Sequence, residues 1–226
     1  MLITAGQKVH QLIDESPLGH ASLELLVNLL HQMYEYGELY ELTDKDYSAH
    51  LKINIPDNEK HGTPFSDAEL DILWENQFDP DIEFILIMCY SGFRISAYKT
   101  IFIDFDAAYF KGGVKTSSSK ERIVPIHSAI HALVKRRMER EQCLLDSDQT
   151  FRKRMNKLLK RLHMPNHTPH DCRHTFSRLC EKFQVNENDR KRLMGHSFGK
   201  DITNSVYGHR ELDDLRKEIE KIIVKS

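Results

Sequence analysis

Six side chains of this 226-residue chain are of types that could act together on a phosphate. They are Arg94 in SGFRIS, Lys115 in GGVKTSSSKERIVPI, His170 and Arg173 in HDCRH, and His196 and Tyr207 in GHSFGKDITNSVYGH. A guanidinium stays charged, and its planar fork matches two phosphate oxygens. Two converging arginines could therefore hold charge on phosphorus without a metal. His170 stands three residues before Arg173, so a helix puts both on one face. A lysine starts from a pKa of about 10.4, and nearby arginines would lower it toward the range of a useful acid. A phenol, with a pKa of about 10, is a weak nucleophile that needs cations on its target. Taken singly, each residue also has a plain reading. Arg94 fits a salt-bridged core edge and Arg173 a polar surface. Lone histidines are mostly structural or exposed, hairpin lysines are mostly solvated, and seven other tyrosines compete with Tyr207.

Order is more specific than any one motif. SGFRIS comes first, then a basic hairpin before VPI, then HDCRHTF, LMGH, and a tyrosine shortly after. This ordered set resembles the tyrosine recombinases of the phage-integrase type. It spans residues 91–207, and the likeness of the domain covers about 65–226. Residues 21–55 look like the tail of the helical core-binding domain that precedes it in such enzymes. The domains expected are thus 1–55, a core-binding remnant, and 56–226, the catalytic domain.

The resemblance implies a mainly α fold with a small antiparallel β-sheet of three strands, and it implies roles. Arg94 and Arg173 hold the non-bridging oxygens of the scissile phosphate. His170 is a phosphate ligand that aids proton transfer. His196, at a position that is His or Trp in relatives, donates a hydrogen bond to the phosphate and presses on the nucleophile's loop. Lys115 protonates the leaving 5′ oxygen, with Lys120 on the same hairpin as its rival. Asp171 and His174 give orienting support. Tyr207 attacks, leaving a 3′-phosphotyrosine and a free 5′ hydroxyl, so rejoining needs no ATP, no cofactor and no metal. Two departures stand out. Ala97 occupies a place commonly taken by an acidic or small residue, and the gap from His196 to Tyr207 is eleven residues, longer than the commonest spacing.

The net charge of −2 hides a division. Residues 1–110 hold 6 Lys or Arg against 19 Asp or Glu, and residues 111–226 hold 26 against 15. A basic face that meets DNA phosphates fits the second part. The densest basic stretch is FRKRMNKLLKRL, residues 151–162. It offers Arg152, Lys153, Arg154 and Lys157 as DNA-backbone contacts, against the plain reading of a solvated helix face.

Periodicity supplies the elements that must position these groups. Helices are expected over 21–42, from Ser66 to about Asn76, over 82–90 (where a strand is also admissible), 127–140, 151–162, 170–181, 186–194 and 211–223. Ser66 and Glu69 form a capping-box pattern flanked by Phe65 and Leu70. IFIDF, AAYF and ERIVPI read as strands. Residues 53–64 read as a linker. The four cysteines read as ordinary intracellular thiols, mostly buried, and the start shows no signal peptide. No stretch reaches the ~20 apolar residues of a membrane span. A cytoplasmic protein of a bacterial host cell, with no membrane partner, is the expectation.

The function expected is site-specific recombination that integrates and excises a phage or conjugative element. Its partners would be double-stranded DNA attachment sites, sister subunits in a homotetramer on DNA (a monomer without it), and an accessory DNA-bending protein. The stripe Leu215, Ile219 and Ile222 is expected either to fold back on its own domain or to pack into a neighbouring subunit. A type IB topoisomerase and a DNA-binding module with a degenerate site remain alternatives.

Overall fold

The computed structural model describes residues 5–56, 62–114, 120–196 and 211–224. The chain divides into two compact units, 1–61 and 62–226. In the first, α1 (Ala5–Asp14) and α2 (His20–Leu39) pack through Ile13, Leu23 and Val27, with Leu51, Ile53 and Ile55 laid against them. The first of these helices was not anticipated from sequence.

The second unit is mainly α with a small antiparallel sheet. α3 (Asp67–Glu75) begins at the expected capping box: Ser66 Oγ accepts from the Glu69 N–H, and the Glu69 carboxylate accepts from the Ser66 N–H. Phe65 and Leu70 are buried beside it. The run at 82–90 is a helix, α4 (Pro80–Cys89), capped by Asp79. Its residues from Ile82 to Cys89 are all buried, so it is the central post of the unit rather than an amphipathic surface helix.

A turn and a short 3₁₀ segment (Ile95–Lys99) lead into the sheet, β1 (Phe102–Asp104), β2 (Tyr109–Lys111) and β3 (Ile123–Pro125), ordered β1-β2-β3. Phe110 pairs with Ile103 on one side and Val124 on the other, and turns its ring into the core. Four helices follow: α5 (Ser128–Glu141), α6 (Asp148–Arg161), α7 (Pro169–Lys182) and α8 (Glu187–Met194). α5, α6 and α7 all pack on α4.

The last helix, α9 (Leu212–Ile219), is shorter than the periodicity indicated. Its stripe, Leu215, Ile219 and Ile222, is buried within the unit, and the helix lies against β3 and α8. Arg216 donates to the carbonyls of Ala107 and Ala108, the imidazole of His127 bonds the Ile222 carbonyl, and Glu220 accepts from Ser128. Of the two arrangements expected for this stripe, the structure shows the fold-back on its own domain: its apolar face is covered in cis. Of the cysteines, Cys89, Cys172 and Cys180 are buried and Cys143 is half-buried, all as free thiols. Among the described residues no helix is long and apolar enough to cross a membrane.

Candidate active site

The chain leaves α4 through Ser91 and Gly92. Gly92 has φ +67°, and a Cβ there would run into the Phe176 ring of α7, so the turn needs a residue without a side chain. Phe93 then drops into the core against Tyr98 and Phe110, and Arg94 emerges at its edge, half-buried. Arg94 Nη1 is buried and has no hydrogen-bond partner among the described residues. Such a donor is costly unless something fills the space before it.

α7 carries four of the expected groups. Its first turn is closed by Asp171, whose carboxylate accepts from the N–H and hydroxyl of Thr168. Asp171 is thus a capping residue, and its other oxygen is buried without a partner among the described residues. His170 is exposed, and the His174 ring stands perpendicular to it at 4.6 Å. Arg173, expected to be equally at home on a surface, is 3% exposed. It donates to the carbonyls of Gly92 (2.5 Å) and Met194 (2.6 Å), tying the Arg94 turn and the end of α8 to α7. α8 stops because Gly195 adopts the left-handed conformation at φ 65°, which hands the chain to His196.

Sequence reasoning passed over Arg122. It is 8% exposed, its guanidinium lies 4.0 Å from the centre of the Phe93 ring, and it donates to the Met194 carbonyl at 3.0 Å. The signal was present: in a strand, residues two apart share a face, and Val124 points inward.

These groups feel one another's charge. Burial, followed by the neighbouring charge of Arg94, pushes Arg173 down to about 10. Burial, then Arg173 and Arg94, pushes Arg122 down to about 9. Lost hydration at the site, then Arg173, Arg94, Arg122 and Arg190, lowers His196 to about 4. His170 is lowered by lost hydration, His174 and Arg173, with Arg94 adding less. Arg94, Arg122, Arg173, His170 and His196 thus converge on one positive region. Neither Arg94 nor Arg173 meets a carboxylate among the described residues. Ala97, where an acid would have been commonest, is wholly buried, and its N–H is spent on the Arg94 carbonyl. A site of this kind can hold an anion and supply neutral imidazoles for hydrogen bonding and proton transfer. Among the described residues there is no group of three or more His, Cys, Asp or Glu placed to hold a metal ion.

Lys115 and Tyr207 lie outside the described residues; Lys120 is described, and exposed. The candidate backbone contacts on α6, Arg152, Lys153, Arg154 and Lys157, are all exposed, and Arg154 also pairs with Asp81 at 2.9 Å beside Asp79 and Asp146.

Residues 79–212 match the model of the Phage integrase family. Among solved structures, the Tn1549 transposon integrase in complex with circular intermediate DNA is similar, with a TM-score of 0.74 and 17% identity over 97% of this chain and 85% of that one. The same integrase in complex with transposon right end DNA gives 0.67 and 17% over 96% and 84%. The integrase from mycobacterium phage Brujita gives 0.56 and 14% over 97% and 78%. No curated protein matches the chain. At these identities the solved structures speak for the fold.

Proposed function

Because the chain belongs to the phage integrase family, whose activity is site-specific DNA recombination, we propose that it cuts and rejoins DNA through a covalent bond to Tyr207. The observation that carries this reading is the pair Arg94 and Arg173, held in the unit without a carboxylate among the described residues. Two such cations await an anion, and a phosphodiester is the anion that the fold's relatives meet: the Tn1549 enzyme is seen with DNA.

In the proposed reaction a DNA phosphate docks on Arg94 and Arg173, with His196 donating a hydrogen bond. The Tyr207 phenol gives up its proton toward His170, which is favoured as a neutral base by lost hydration and then by the surrounding positive charge. The phenolic oxygen bonds to phosphorus as the bond from phosphorus to the 5′ oxygen breaks, and Lys115 protonates that leaving oxygen. The 3′-phosphotyrosine conserves the bond energy, and a 5′ hydroxyl from another strand reverses the step. His174, and Asp171 through its cap, hold His170 in place. Lys120 is the rival of Lys115 for protonating the leaving oxygen. The first unit, residues 1–61, serves as part of a clamp on the DNA, and four subunits assemble on two duplexes. The substrate is the attachment site of a phage or conjugative element.

A nicked duplex that loses its 5′ fragment after cleavage traps the covalent intermediate. A protein–DNA adduct at a defined site, followed by strand exchange, supports the reading. Relaxation of supercoils with little site preference would instead mark a topoisomerase, and binding with no adduct would mark a DNA-binding module.

A further inference from the structure

Arg122 is absent from the six residues assigned to the chemistry, yet the region is built around it. It stands immediately before β3 and two residues after Lys120, so its backbone belongs to the segment between β2 and β3 that, in the reaction proposed above, delivers the general acid. Its guanidinium stacks on Phe93, the residue before Arg94, and reaches the carbonyl of Met194, two residues before His196. That same carbonyl accepts from Arg173. Met194 is the last residue of α8, where helix carbonyls lack intrahelical partners and carry partial negative charge. Two buried guanidiniums on one helix-end carbonyl fix where the chain turns at Gly195.

We infer that Arg122 is a positioning residue for strand cleavage: by stacking on Phe93 and sharing the Met194 carbonyl with Arg173, it locks the hairpin, the Arg94 turn and the His196 turn into one register. The inference rests on the reaction proposed above. Arg122 acts through its neighbours, since it is almost wholly buried, lies on Phe93 and bonds Met194. Its charge adds to those of Arg173, Arg94 and Arg190 around His196.

Arg122→Gln and Arg122→Lys, made in the full chain, test it with two readouts. The first needs no DNA: the His196 imidazole is titrated by NMR. Arg122→Gln removes a repelling charge, so His196 titrates at higher pH than in the wild type; Arg122→Lys keeps the charge and leaves the titration near the wild-type position. The second readout is covalent adduct formation on the nicked duplex. Both variants lose the planar stack on Phe93 and with it the guanidinium geometry that reaches Met194, so cleavage falls by about 10- to 100-fold, the scale of a small misplacement of reacting groups, while DNA affinity stays within about threefold of wild type. Arg122→Lys folding normally and cleaving at the wild-type rate overturns the inference, as does an unmoved His196 titration in a folded Arg122→Gln protein. If the wild type itself forms no adduct, it is the proposed reaction that fails, and the NMR readout still decides whether Arg122 sets the His196 environment.

Discussion

Two arginine clusters lie in the second unit, and they are built in opposite ways. Around α4 and α5, Arg136, Arg137 and Arg140 surround Glu83, which is wholly buried. Arg136 and Arg140 bond its carboxylate at 2.5 and 2.7 Å, and Arg137 lies 3.8 Å away while donating to the carbonyls of Leu144 and Pro80. Bonding to Glu83 raises the pKa of Arg140. At the candidate active site, Arg173 is lowered by burial and by Arg94, and among the described residues it bonds backbone carbonyls. The first cluster has its anion built in; the second has places for one. Buried charge that serves the fold comes with its partner, because an unpaired ion in the interior is expensive. Charge kept without a carboxylate therefore points to a ligand that brings the missing one.

The contrast can be broken from either side. Arg94→Gln has the largest expected effect on function. It should slow covalent cleavage by about a thousandfold, the scale seen when one donor to a developing oxyanion is lost, while thermal stability holds or rises because a repulsive neighbour of Arg173 is gone. A clear fall in Tm with cleavage intact would show that Arg94 is structural. Glu83→Gln should do the reverse. Leaving three arginines around a neutral amide costs about 3–5 kcal/mol of stability, read by chemical denaturation, and any folded fraction should still cleave DNA.

A smaller effect sharpens the same point. Inorganic phosphate at a few times its dissociation constant should raise the wild-type Tm by about 2–4 °C through preferential binding to the folded state. Arg94→Gln should lose that response and Glu83→Gln should keep it. Equal responses in all three proteins would mean that phosphate acts elsewhere.

The smallest effect is in the pH dependence. His196 titrates at about 4 in the folded chain, against about 6.5 when unfolded. The unfolded chain takes up the proton first as pH falls, so this histidine erodes stability between about 6.5 and 4 and no further below that. A bound phosphodiester offsets the arginine charges and raises the His196 pKa, so DNA binding takes up a proton. Affinity for a short duplex should therefore strengthen as pH drops from 6.5 toward 4, and less so in Arg94→Gln. Affinity that is flat or weaker over that range in the wild type would remove His196 from the phosphate.

Much of this was legible in the chain because it is local. The Ser66–Glu69 box, the apolar run from Ile82 and the three short strands each announce themselves within a few residues. HDCRH places His170 and Arg173 on one helix by spacing alone. What was missed depends on distant partners. Nothing near Arg154 in sequence reveals Asp81, and nothing near Leu215 reveals that β3 and α8 cover it. Arg122 was passed over because a charged residue in a basic hairpin looks solvated until Phe93 and Met194 are brought to it. Lys115 and Tyr207 rest on sequence order.

The central claim is that the uncompensated arginines present a DNA phosphate to Tyr207. Its most direct test is to trap the wild-type protein on nicked DNA, digest the adduct, and map the DNA-linked peptide by mass spectrometry. A single linkage, at Tyr207 and to the 3′ phosphate, that disappears in Arg94→Gln at nearly unchanged DNA affinity is the predicted result. A linkage through another residue, or one undiminished without Arg94, would contradict it.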